Sequence, residues 1–123
     1  MSDGTMSNAF QALFEEVDVV RGKLTQSCDA WLKVGNTIKP GFFRGGPDKT
    51  CACALGTLSA FDHYRGVEHD ELAAVTLGIK RANVRAFAFG FDGGFQGRSY
   101  TPDEREWFKL GEEFRAKYVE AAA

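Results

Sequence analysis

Across residues 83–95 the apolar side chains Val84, Phe87, Ala88, Phe91 and Phe95 recur with the three- and four-residue steps of one helix face. Gly90 and Gly94 run beside that face. Each interior glycine costs a helix about 1 kcal/mol relative to alanine, so two of them predict the close approach of another backbone or of a ligand. Residues 101–104 read Thr-Pro-Asp-Glu, which supplies a capping threonine, a proline at the first helical position and the glutamate of a capping box. A helix over 102–120 follows, with Trp107, Leu110, Gly111, Phe114 and Tyr118 on its buried face. Acids crowd its first turn, and Arg115 and Lys117 sit near its end, as the helix dipole favours. The short linker 97–100 makes these two helices antiparallel neighbours, with the small residues at their contact.

Elsewhere the pattern is less regular. Ser7 is placed to cap a first helix with Phe10, Leu13, Phe14, Val17 and Leu24 in phase, which Gly22 is placed to divide. Residues 34–49 are rich in glycine, proline, asparagine and aspartate, and predict a loop with a small hairpin pairing 42–44 with 50–52. Residues 54–64 predict a short helix. Asp70 opens another, carrying Leu72, Val75 and Ile79, and Gly78 is placed to end it. The expected fold is mainly α: one small helical domain over 7–120, of four or five helices with a short β-hairpin. Residues 1–6 and 121–123 are expected to be flexible tails.

At 123 residues the chain suits one core, and 44% apolar residues with 11 Phe supply the material for it. A formal charge of -2 argues against a protein that coats nucleic acid or anionic membrane through its overall field. No apolar run approaches the roughly eighteen residues that span a bilayer, and nothing at the start of the sequence resembles a signal peptide. Three cysteines, an odd number, fit free thiols in a reducing compartment, so a cytoplasmic location is expected.

Two thiols, Cys51 and Cys53, stand where the glycine-rich loop enters the 54–64 helix. A helix N-terminus can lower a thiol's pKa, so Cys53 is a candidate nucleophile with His63 as its base and Asp92 as the orienting acid. The more common fate of a free cysteine is burial as a small apolar residue. Cys28, Cys51, Cys53, His63 and His69 are suitable zinc ligands by type, but one residue between Cys51 and Cys53 is the wrong spacing, and no metal or cofactor is expected. The loop 41–50 lacks the lysine that a phosphate-binding loop requires, since Pro47 occupies its place.

Residues 70–90 resemble the helix-turn-helix of DNA-binding regulators. Gly78 would be the turn glycine, with Ala74, Leu77, Ile79, Val84 and Phe87 at the small and apolar positions. The outward face of the second helix would present Lys80, Arg81, Asn83 and Arg85 to phosphates and base edges. Against this, the supposed reading helix continues into the Phe and Gly face, which is suited to packing.

A longer resemblance takes in Cys53-Ala-Leu-Gly56, Leu77-Gly-Ile79, the run from Phe87 through Gly90-Phe-Asp-Gly93, and Leu110-Gly111 with Phe114-Arg115 and Tyr118. These segments resemble a loosely defined group of small uncharacterised proteins of tailed phages and their prophages. The resemblance implies a phage or prophage origin and no settled activity. Asp92, Arg98 and Arg115 are candidates to line a shared pocket, against which stand the ordinary roles of a cap, a surface charge and a helix-end cation.

The function expected from these features is that of a non-enzymatic binding protein acting through a protein partner or self-association. Its expected contact surface is the aromatic loop Phe42, Phe43 and Arg44, where paired exposed Phe would mark an interface. The DNA-binding regulator and the Cys53 enzyme are the alternatives.

Overall fold

The computed structural model describes residues 2–41, 44, 45, 50–63, 68–94 and 99–121, with side chains for all of these except 2–9 and 63. The architecture is mainly helical. Among the described residues the order is α1 (Ser2–Lys33), β1 (Thr37–Ile38), β2 (Cys51–Ala52), two 3-10 turns (Leu55–Thr57 and Ser59–His63), α2 (His69–Leu77), α3 (Arg81–Phe91) and α4 (Pro102–Arg115). A π turn, Ala116–Glu120, extends α4.

α3 and α4 form the centre of the molecule, and their glycines meet as the pattern predicts. The pair is not the antiparallel one expected from the short linker: Asp103 at the start of α4 shares a groove with Lys80 and Asn83 at the start of α3, and Arg115 at the end of α4 reaches Phe91 O at the end of α3. A Cβ added at Gly90 would overlap the carbonyl oxygen of Phe108, and one added at Gly111 would overlap that of Phe87. Each helix therefore presses its backbone into a notch in the other. Around this contact Phe87, Phe91, Trp107, Leu110 and Phe114 are almost wholly buried, with Phe87 edge-on to Phe114 at 5.6 Å. Such edge-to-face pairs add about 0.5–1.5 kcal/mol beyond their buried area. The capping box forms as expected: Glu104 N–H donates to Thr101 Oγ1 at 3.2 Å, and Thr101 N–H donates to Glu104 Oε1 at 2.9 Å.

Several elements differ from the sequence expectation. α3 opens at Arg81, one turn before Val84, and ends at Phe91; Gly93 and Gly94 then take positive φ of 95° and 82°. Gly94 thus belongs to a turn that needs the left-handed region, not to the helix stripe. Phe95 lies outside the described residues. α1 is one unbroken helix in which Ser7 and Gly22 are both interior. Its buried side chains, Leu13, Val17, Val20, Leu24, Cys28 and Trp31, keep helical phase across Gly22, and their packing outweighs the local glycine cost. Phe10 and Phe14, read in phase with these residues, are exposed. The expected 54–64 helix is replaced by two tighter 3-10 turns.

Beside the expected hairpin, part of which lies outside the described residues, the chain forms a parallel pair that the sequence did not predict. β1 lies beside β2 with Thr37 opposite Cys51 and Ile38 opposite Ala52; Thr37 N–H donates to Thr50 O and Lys39 N–H to Ala52 O, both at 2.9 Å. On its other side Cys51 makes one antiparallel bridge, to Gly45. Phe42 and Phe43 lie outside the described residues. Gly78 ends α2 with φ 70°, and Ile79 N–H donates to Ala74 O at 3.0 Å, closing the helix as its sequence position implies.

Candidate functional site

Cys53 leaves β2 pointing inward and is 6% exposed. With Gly41, Phe91 and Asp92 it lines a cavity of about 40 Å³, room for a water or two and far below the size of a substrate site. The structure therefore does bring Cys53 and Asp92 together, but with the wrong electrostatics for a nucleophile. Burial pushes the Cys53 thiol up to about 12; the Gly56 and Leu55 amides oppose the shift, and the Asp92 charge adds to it. Asp92 itself accepts the Gly41 N–H at 2.9 Å, tying the chain after β1 to the end of α3. The side chain of His63 lies outside the described residues.

Cys28 is also buried, and desolvation again pushes its thiol up to about 12. Its Sγ sits 3.8 Å from Ala54 O and 3.7 Å from Thr57 Oγ1. Both buried thiols are held in the protonated, weakly nucleophilic form at neutral pH. On brief treatment of the native protein with iodoacetamide near pH 7.5, mass spectrometry should find modification at the half-buried Cys51 alone, and at all three cysteines after denaturation. Native modification of Cys53 at a rate matching Cys51 would restore the nucleophile reading.

The α2–Gly78–α3 corner forms, yet its expected reading face does not. Asn83 is 6% exposed and therefore points inward, because its register on α3 is adjacent to that of Val84 and Phe87. Arg81 donates to Asp70 and Glu68, and Arg85 Nε donates to Asp70 Oδ2 at 2.8 Å. Burial alone would raise the Asp70 carboxyl, but the Arg85 and Arg81 hydrogen bonds outweigh it and hold the group below the usual carboxylate range. Of the four residues only Lys80 is both exposed and outside any ion pair among the described residues. The charge offered to a phosphate backbone is largely cancelled within the fold.

Arg44, expected at a contact surface, instead works inside the chain. Its guanidinium lies 4.7 Å over the Trp31 ring, donates to Gly56 O at 2.8 Å and Leu58 O at 3.1 Å, and pairs with Asp62 at 2.5 Å. The side chain is 13% exposed. One arginine thus fastens α1, the loop and both 3-10 turns. Arg115 is similarly occupied: its Nη1 donates to Phe91 O at 2.9 Å, closing the C-terminus of α3 beside Gly93. Arg98 lies outside the described residues, and Asp92 and Arg115 each bond to backbone.

An apolar surface that helical phase did not distinguish from the core-facing side lies on α1. Phe10 and Phe14 are 43% and 49% exposed, with ring centroids 6.4 Å apart in a stacked arrangement. At 1.5 Å per residue α1 is roughly 48 Å long and α4 roughly 21 Å, so α4 cannot cover all of α1. Among the described α1 side chains, the first that the core buries is Leu13. Helical phase indicates which side of α1 faces the core; it does not reveal which positions on that side the other elements reach.

No described helix is long and apolar enough to cross a membrane. Comparison of the chain with protein-family models, with curated proteins and with solved structures finds no match.

Proposed function

We propose that this chain is a non-enzymatic interaction protein, of the small phage-associated kind its motifs resemble, acting in the cytoplasm through a protein partner or self-association. The observation behind this reading is the stacked, half-exposed pair Phe10 and Phe14 on α1. Two adjacent aromatic side chains left half in water forgo roughly 1 kcal/mol of burial each, which an interface recovers. The groups that would favour an enzyme or a DNA reader have other engagements: Cys53 is enclosed and protonated, while Arg81 and Arg85 are bound to carboxylates.

Phe10→Ser with Phe14→Ser provides the test, because both side chains are exposed and their loss leaves the core intact. Light scattering after size exclusion, with chemical cross-linking in host lysate, should show wild type above its 13.5 kDa monomer mass or cross-linked to a defined set of proteins. The double variant should retain the wild-type unfolding midpoint and lose that association. A monomeric wild type whose cross-linked proteins are the same as the variant's would refute the reading.

A further inference from the structure

On the flank of α1 away from the Phe pair, a groove of about 450 Å³ opens between α1, the α2–α3 turn and the start of α4. Its lining combines apolar Leu13 and Ile79 with Glu16, Asp103, Lys80 and Asn83. Asn83 is 6% exposed, yet its side-chain amide makes no hydrogen bond among the described residues. The amide opens into the groove with its hydrogen-bonding groups unused by the protein, so a ligand group seated there can take them up in place of water.

The surrounding charges are also unpaired. Arg21, Arg44, Arg81, Arg85 and Arg115 all hold carboxylates, whereas Glu16, Lys80 and Asp103 join no ion pair among the described residues. At the same place α3 begins without a side-chain cap, since Lys80 at the capping position accepts nothing. The 11-residue helix therefore presents its positive end uncapped beside a lysine and an amide. Two carboxylates stand in the same groove. A simple anion would satisfy one set of groups and be repelled by the other.

From this we infer that the groove binds a zwitterionic small molecule of the α-amino-acid type with a short apolar side chain. Its carboxylate meets Lys80, the Asn83 amide and the N-terminal end of α3. Its ammonium meets Glu16 and Asp103, and its side chain rests on Leu13 and Ile79. The site is independent of the Phe10 and Phe14 surface, so either reading can fail alone.

The test is a titration of the ¹⁵N-labelled chain with L-leucine, N-acetyl-L-leucine and L-leucinamide, followed by amide resonances. Leucine at millimolar concentration should shift Gly78, Ile79 and Asn83 saturably. Each analogue, lacking one of the two charges, should bind about tenfold weaker or worse, a loss of about 1.4 kcal/mol. Lys80→Ala and Glu16→Gln alter exposed positions that leave the core unchanged, and each should abolish the leucine shifts in a chain whose spectrum is otherwise that of the wild type. Absence of saturable shifts with leucine would overturn the inference. Equal binding of N-acetyl-leucine would do so too, by showing an anion site alone, as would leucine shifts that survive Lys80→Ala.

Discussion

Gly111→Ala and Gly90→Ala should each destabilise the protein by about 3 kcal/mol, lowering the thermal midpoint by roughly 10–15 °C. On propensity alone the change should help, since alanine gains about 1 kcal/mol over glycine in a helix interior. That gain is outweighed because the new methyl carbon meets the backbone carbonyl of Phe87 or Phe108, which has no rotamer to yield. Relief requires moving α3 away from α4 and loosening the Phe87, Phe91 and Phe114 contacts. Because a single separation relieves both overlaps, the double variant should cost clearly less than the sum of the two. Gly22 supplies the internal control: a Cβ there meets nothing within 4 Å, so Gly22→Ala should be neutral or stabilising by up to about 1 kcal/mol. Denaturant unfolding measures all four variants, and an additive pair, or a harmless Gly111→Ala, would contradict the notched helix contact.

Arg44→Ala should cost about 2–4 kcal/mol, although a charged residue in a glycine-rich loop would ordinarily tolerate replacement within about 0.5 kcal/mol. The substitution removes the stack on Trp31 and the Asp62 pair, and it strips the donors from Gly56 O and Leu58 O. Arg44→Lys should recover little of this, because one ammonium on a flexible stem cannot lie flat on the indole while reaching three separate oxygens. Tryptophan fluorescence should report it directly: Trp31 and Trp107 are the two tryptophans, and Trp31 alone changes its environment. A cost for Arg44→Ala no larger than that of an exposed residue, or full recovery with lysine, would show that the loop is held by other contacts.

What could be read from the sequence was what local rules determine. The capping box at Thr101 and Glu104 lies within four residues and forms as written. The glycines at 90 and 111 identified the helix pair because their cost has no local compensation. Gly94, equally suggestive on spacing, falls past the end of α3, where a positive φ is the simpler reason for a glycine. Gly22 misled in the opposite sense, since the buried Val20 and Leu24 hold α1 together across it. Asn83 looked like a surface residue by type, but its register beside Val84 and Phe87 sends it inward. Arg44 offered no periodic signal at all: its partners lie 12 to 18 positions along the chain and on α1, a distance no local pattern encodes.

The reciprocal notches at Gly90 and Gly111 also act on a distant part of the molecule. A helix held by a backbone tooth at one point cannot slide along its neighbour, and α3 is stiff from Gly90 back to Arg81, a span of roughly 14 Å at 1.5 Å per residue. The spacing between Lys80 at the head of α3 and Asp103 at the head of α4 is therefore set from the far end of the pair. A graft that keeps those charges but replaces Gly111 with a bulkier residue should misalign them without touching either.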